Sequence, residues 1–341
     1  MGMISIASEV PKTEYTTKRL VKVFGGRITG EVAKNIENLG VKKRHFAFTP
    51  KGRREKVSDV CFSAFRGALK KSGLKKNDIE NLIVTSDASD YLSPGLSGIL
   101  AGKIDSSINH FNLQGMACIA FPRSLELASR LEGNTAIVLS GVNSGWFVNQ
   151  ARFLDDVKGP DEIKKLPASK RANETRKWLA VIQASLFGDG ASAIIWGKGG
   201  VNVKKSSSIC NIKERDYESA YFSIGQNDGF RTETIAHLDR LGEIGSLYCK
   251  EAMAKMNVNK ESVGRWALHT GSRKILDSVT AELGVERQRA VESYDVLENY
   301  GNLAGASLPF IVERALKTGA RSIMSLGYGW GFASCATLLR R

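Results

Sequence analysis

The sequence predicts an α/β protein with buried sheets, and three observations predict it. Short apolar segments of strand length alternate with helical patterns along most of the chain. The strand segments are apolar throughout rather than every second residue, as in sheets covered on both faces. The pattern of the first part also returns in the second, displaced by about 185 residues. The helix after Cys118 followed by Gly133-Asn134-Thr135-Ala136-Ile137-Val138-Leu139-Ser140-Gly141 has its echo after Asn302. There a helix leads to Gly319-Ala320-Arg321-Ser322-Ile323-Met324-Ser325-Leu326-Gly327. Leu82-Ile83-Val84-Thr85-Ser86 is likewise repeated in context by Ala267-Leu268-His269-Thr270. Two duplicated halves follow, one over 1–200 and one over 201–341.

The elements read in order as an amphipathic helix over 57–72 and a short buried strand over 81–86. A helix over 124–131 has Leu125, Leu127, Ala128 and Leu131 on its apolar side, and strands follow over 135–141 and 191–196. The second half reads as a helix at 243–255, a strand at 265–269, helices at 273–283 and 306–317, and strands at 322–326 and 332–339. Residues 155–176 interrupt the alternation. They are polar, rich in Lys and Arg, and carry Gly159-Pro160, which predicts a surface excursion or lid.

Length and composition narrow the class. A chain of 341 residues has ample core for two fused halves. Its five cysteines lack CxxC spacing, so neither a disulfide framework nor a metal site is expected, and a reducing cytoplasm is the expected compartment. No stretch is long and apolar enough to span a bilayer, the N-terminus lacks a signal-like apolar region, and Ile6 stands where a myristoylation signal needs Ser or Thr. The net charge of +14 favours acidic partners. The clusters Lys42-Lys43-Arg44, 51–56 and 164–176 carry no interleaved aromatics for base stacking, so nucleic acid is not expected.

One constellation carries chemistry. Cys118 sits within Phe111-Asn112-Leu113-Gln114-Gly115-Met116-Ala117-Cys118-Ile119-Ala120-Phe121, at the start of a buried helix whose positive end favours thiolate. His269 closes Trp266-Ala267-Leu268-His269, and Asn302 stands in Tyr300-Gly301-Asn302-Leu303-Ala304-Gly305. Nucleophile, imidazole and amide each lie at the end of an apolar segment. Cys61, Cys210, Cys249 and Cys335 lack such a setting and read as structural.

These motifs together resemble the thiolase-fold condensing enzymes, in particular the β-ketoacyl-acyl carrier protein synthase III group. The Cys118 segment is similar to that group's nucleophile loop. Leu186-Phe187-Gly188-Asp189-Gly190-Ala191-Ser192-Ala193 is similar to its FGDGAGA-type turn, and Asn299-Tyr300-Gly301-Asn302-Leu303-Ala304-Gly305-Ala306-Ser307 to its NxGNTSAAS motif. Gly327-Tyr328-Gly329-Trp330-Gly331-Phe332 resembles the C-terminal GFGGG loop, and Leu39-Gly40-Val41-Lys42-Lys43-Arg44 the early TGIxxRR segment. The matches keep the family's order across nearly the whole chain. Departures cluster after the histidine: the family's HxxNxRI is here His269-Thr270-Gly271-Ser272-Arg273-Lys274-Ile275, and the glycine is closer to the chalcone synthase branch. Trp330 fills a slot that the family often gives to Gly.

The resemblance implies a five-layered αβαβα fold and a homodimer. It implies acyl transfer from a coenzyme A or phosphopantetheine thioester to Cys118, then decarboxylative Claisen condensation with a malonyl or β-ketoacyl thioester, in fatty-acid-like or polyketide biosynthesis. These thioesters are substrates, and no cofactor is implied. His269 and Asn302 would donate hydrogen bonds to the enolate oxygen, while the N–H of Cys118 and the Gly329-Trp330 loop would hold the acyl oxyanion. Tyr91 and Leu92 correspond to a region lining the acyl pocket at the dimer interface, and Arg273 and Lys274 to the docking rim for an acidic acyl carrier protein. Acyl transfer to an oxygen or nitrogen nucleophile, and a non-catalytic partner subunit, are the alternatives. Asp189 reads as a turn residue between Gly188 and Gly190.

Overall fold

A computed structural model describes residues 1–47, 55–143, 148, 151, 154–210, 221–225, 229–233, 241–329 and 333–341. In chain order, β1 (Gly2–Glu9) is followed by a ribbon of β2 (Thr13–Thr16) and β3 (Lys43–Phe46). Then come β4 (Asn81–Thr85), β5 (Asn109–Leu113), β6 (Thr135–Ser140) and β7 (Ala191–Gly197), which join β1 in a five-stranded sheet of order β1-β7-β6-β4-β5. β8 (Asn202–Cys210) opens the second half. After a hairpin of β9 (Tyr221–Gly225) and β10 (Gly229–Glu233) follow β11 (Arg265–Leu268), β12 (Ser322–Gly329) and β13 (Ala333–Arg340). The second sheet runs β11-β12-β13-β8.

The two sheets repeat one plan. In each, a first strand pairs antiparallel with the last, the last pairs antiparallel with a central strand, and that strand pairs parallel with the next. β5 extends only the first sheet. The duplication expected from the sequence is thus present in the strand order itself.

Side-chain alternation explains the layers. Along β6, Ile137 and Leu139 face a core shared by both halves, while Ala136 and Val138 face a core under the Val57–Ser72 and Leu96–Ile104 helices. Along β11, Ala267 faces the shared core, while Trp266 and Leu268 face one under the Leu241–Met256 and Arg273–Leu283 helices. Both faces are apolar because both are covered. The Ala120–Ala128 and Ser307–Lys317 helices supply Phe121, Leu125, Phe310, Ile311 and Val312 to the shared core between the sheets. The result is helix, sheet, helix, sheet, helix: the five-layered arrangement of the thiolase fold.

Three expectations need correction. The helix after Cys118 begins at Ala120, not 124, because a 3₁₀ turn over Ala117–Ile119 leads straight into it. Residues 155–176 are no plain excursion: Pro160–Lys164 and the start of the long Ala168–Leu186 helix lie there. β1, β5 and β8 were not anticipated. β5 is exposed along most of its length and β8 along part of it; sheet-edge strands bond through the main chain and need no apolar run. Among the described residues, no helix is long and apolar enough to cross a membrane.

Candidate active site

Strand ends and turns bring Cys118, His269, Asn302 and Gly329 to the wall of one cavity of about 210 Å³. Its remaining lining is largely apolar and includes Trp178, Leu179, Ile182 and Leu186 from the Ala168–Leu186 helix.

Cys118 is buried in the 3₁₀ turn, directly after Ala117, which has a left-handed φ of 41°. That conformation is costly for a residue with a Cβ. It turns the chain sharply between Met116 and the helix. The thiol does not have the lowered pKa that its helix-start position suggested. Burial pushes it above its ordinary value, and the negative charge of Asp87 adds to the effect. Desolvation of the thiolate acts on the whole charge, whereas a short helix presents only a fraction of one, so burial dominates.

β12 comes close on the other side of the sulfur. A Cβ built on Gly329 would lie 2.9 Å from Cys118 Cβ, 3.1 Å from Sγ and 3.6 Å from the Cys118 nitrogen. Only a glycine lets this strand end approach the Cys118 sulfur so closely. Trp330, the second residue expected of this loop, lies outside the described residues.

His269 ends β11. Its N–H donates to the Leu326 carbonyl (3.0 Å), and its carbonyl accepts from the Tyr328 hydroxyl (2.5 Å) and the Gly271 N–H (2.9 Å). The Tyr328 ring meets the imidazole edge-on at 5.6 Å. The backbone and ring face are thus held, while neither ring nitrogen has a partner among the described residues. Burial lowers the imidazole to about 3, so the ring is neutral, with one N–H donor and one acceptor nitrogen.

Asn302 is fixed by the Gly-Asp-Gly turn. Its N–H donates to the Leu186 carbonyl (3.0 Å), and its carbonyl accepts from the Gly188 N–H (3.1 Å). Gly188 has no room for a side chain: a Cβ there would sit 2.1 Å from the Tyr300 oxygen. The Asn302 side-chain oxygen accepts the Ala304 N–H (2.9 Å), an arrangement that orients the amide and leaves its NH₂ to serve as donor. Asp189 does more than serve a turn. Its buried carboxylate accepts the N–H groups of Ala47 (2.7 Å) and Asn143 (2.8 Å), tying two distant loops beneath the site.

The remaining expected residues divide. Arg273 and Lys274 occupy the first turn of the Arg273–Leu283 helix, between the lining residues Ser272 and Ile275. Arg273 reaches Asp277 at 3.5 Å and lies over the Tyr294 ring, whereas Lys274 is exposed. Tyr91 and Leu92 do not line the Cys118 cavity. They are 56% and 94% exposed and border a second cavity, with Asp87 and Gln114, beside β5. The loop after β4 turns away from the Cys118 cavity, so this chain alone does not supply them to it. The basic cluster at 42–44 also divides: Lys42 and Lys43 pair with Glu298 and Glu14, while Arg44 is wholly buried, bonded to the Thr17 hydroxyl and lowered to about 10 by burial.

The apolar wall from Ala168–Leu186 escaped the sequence reading, although Trp178, Ile182 and Leu186 recur at a four-residue spacing, a helical stripe. Asp87 and Tyr328 had no such signal, since each meets the site only through a neighbour that folding brings close.

Residues 253–341 match the family described as 3-oxoacyl-[acyl-carrier-protein (ACP)] synthase III C terminal. The chain is 26% identical to a β-ketoacyl-[acyl-carrier-protein] synthase III of Clostridium perfringens, over 88% of this chain and 88% of that protein. It is 23% identical to a 3,5-dihydroxyphenylacetyl-CoA synthase of Streptomyces toyocaensis, over 93% of this chain and 83% of that one. Its fold superposes on a variant of OleA from Xanthomonas campestris with a TM-score of 0.80, at 18% identity, covering 100% of this chain and 98% of the other. The C-terminal type III polyketide synthase domain of Steely1 from Dictyostelium gives 0.78, also at 18% identity, covering 100% and 99%. With a layered architecture shared with these solved structures, a family match over residues 253–341 and relatives spanning most of its length, the chain has the thiolase fold and is similar to the condensing enzymes of the β-ketoacyl-acyl carrier protein synthase III-like family.

Proposed function

We propose that the protein takes an acyl group from a thioester onto Cys118 and condenses it with a malonyl or β-ketoacyl thioester, releasing carbon dioxide. The single observation behind this reading is the shared cavity that puts Cys118, His269, Asn302 and Gly329 on one wall. A thiol raised by burial needs a proton acceptor when it attacks, and the neutral imidazole in the same cavity has one. The thiol proton passes to the ring, sulfur bonds to the acyl carbon, and the donor's thiolate leaves with that proton. In the second half-reaction, carbon–carbon cleavage frees carbon dioxide and leaves an enolate. The ring N–H and the Asn302 amide donate to its oxygen, and its carbon attacks the acyl-Cys118 carbonyl; the carbon–sulfur bond then breaks, the β-ketoacyl thioester leaves, and the Cys118 thiolate takes up a proton from solvent. The backbone N–H of Cys118 suits the oxygen of that carbonyl.

Acyl-coenzyme A or an acyl carrier protein is the donor on this reading. The excess of cations and exposed Lys274 at the cavity margin suit an acidic carrier. The edge strand β5, with Phe111 exposed on it, and the exposed Tyr91 and Leu92 between β4 and β5 support a homodimer through this edge.

The test is incubation with a panel of acyl-coenzyme A and acyl-carrier thioesters plus carboxyl-labelled malonyl thioester. Intact mass should show one acyl group on the wild type and none on Cys118→Ala. Asn302→Ala should still load the acyl group but lose condensation by about 10²–10³-fold. Loading without release of labelled carbon dioxide would replace condensation with acyl transfer to oxygen or nitrogen. No loading from any donor would overturn the reading altogether.

A further inference from the structure

Each half of the molecule contains an alanine held in a left-handed conformation at the matching place. Ala117 (φ 41°) opens the 3₁₀ turn leading into Ala120–Ala128, and Ala304 (φ 46°) opens the turn leading into Ser307–Lys317. The turns face one another, since a Cβ on Gly305 would lie 3.1 Å from the Ala117 oxygen. A strained alanine persists only where its surroundings hold it. In the second half the Ala304 N–H is held by the side-chain oxygen of Asn302. In the first half the corresponding oxygen comes from a residue distant in sequence, Asp87, two positions beyond the end of β4. Its carboxylate accepts the Gly115 N–H (3.2 Å) and the Ala117 N–H. Gly115 is itself left-handed, with φ 74°. One carboxylate therefore holds both unusual peptide units of the turn that presents the nucleophile.

Asp87 does not line the cavity that holds Cys118; it borders the neighbouring one. It therefore stands where it would act on the reaction through Cys118. Its charge also raises the thiol, the opposite of what an activating group would do, which leaves geometry as its use. We propose that Asp87 is a positioning residue for the condensation chemistry: it pins the turn over residues 115–117 so that the sulfur and the backbone N–H of Cys118 both face Gly329 and the acyl carbonyl. The inference rests on Cys118 acting as the acyl acceptor described above.

Two reagents separate positioning from plain stability. Iodoacetamide needs only the thiolate, whereas a thioester also needs its developing oxyanion held in place. Acyl loading and alkylation of Cys118 would be followed by mass spectrometry in the wild type, Asp87→Ala and Asp87→Asn, with melting temperature recorded for each. Asp87→Ala should load acyl groups at least about 30-fold more slowly while its limiting alkylation rate stays within about threefold of wild type. Asp87→Asn keeps one acceptor oxygen and should fall between them. Both variants lose a negative charge near the sulfur, so their alkylation profiles should move to lower pH; Tyr328 and His269, the other titratable groups close to Cys118, are unchanged. Parallel loss of loading and alkylation, or no selective loss in either variant, would overturn the proposal. If Asp87→Ala does not fold, Asp87→Asn decides alone. Failure of the wild type to load would count against the condensing reading; the alkylation profile needs no thioester, and an unshifted profile in Asp87→Asn would then overturn this inference separately.

Discussion

Acidification should destabilise the protein through one imidazole, and the size of the effect follows from its burial. His269 is 1% exposed, its ring nitrogens have no partner among the described residues, and burial lowers it to about 3. In the unfolded chain a histidine titrates near its ordinary value of about 6.5. As pH falls below that value, the unfolded state takes up a proton that the folded state refuses. The stability contribution of the neutral ring is therefore present above about pH 6.5 and is lost progressively as pH falls toward 3. Each pH unit in that window is worth about 1.4 kcal/mol. Moving from pH 7.5 to 4.5 crosses about two units of it, or about 3 kcal/mol. Urea unfolding of the wild type and His269→Asn at both pH values isolates the term, because shared carboxylate titrations cancel in the double difference. The wild type should lose about 3 kcal/mol more than the variant. A double difference below about 1 kcal/mol would show that the ring is solvated or partnered, and the picture of a buried, neutral imidazole would fail.

Two further outcomes follow from close approach and buried bonding. Gly329→Ala places a methyl 2.9 Å from Cys118 Cβ and 3.1 Å from its sulfur, so acyl loading should fall at least about tenfold. Unaltered loading, measured by intact mass, would mean that β12 yields easily. Asp189→Ala leaves the buried N–H groups of Ala47 and Asn143 without their acceptor and should cost about 3 kcal/mol in denaturant unfolding. A loss under about 1 kcal/mol would show that water replaces the carboxylate.

The strands buried on both faces were legible because their chemistry is local. β4, β6, β7, β11, β12 and β13 are apolar on both faces, and a run of such residues declares itself without reference to partners. Their repetition also revealed the duplicated plan before any pairing was known. The edge strand β5 was not legible: Asn109, His110 and Asn112 carry no strand signature, and only pairing with β4 makes that segment a strand. The long Ala168–Leu186 helix was obscured by its polar first half, although its second half carries the apolar stripe.

The site divides along the same line. Residue identity and order sufficed to single out Cys118, His269 and Asn302, because a thiol, an imidazole and an amide at apolar strand ends are few and their motifs keep one sequence. Their electrostatic character was decided by tertiary structure. Enclosure reversed the acidity expected for Cys118 and keeps the His269 imidazole neutral, since desolvation depends on every neighbour packed around a group. Tertiary structure also separated Tyr91 and Leu92 from the cavity and brought Asp87, 31 positions away in the chain, to the turn that carries the sulfur. A linear chain states which groups exist and which segments must be buried. Which groups share a wall, and what charge each bears there, depends on distances between parts that meet only once the two sheets close over the helices between them.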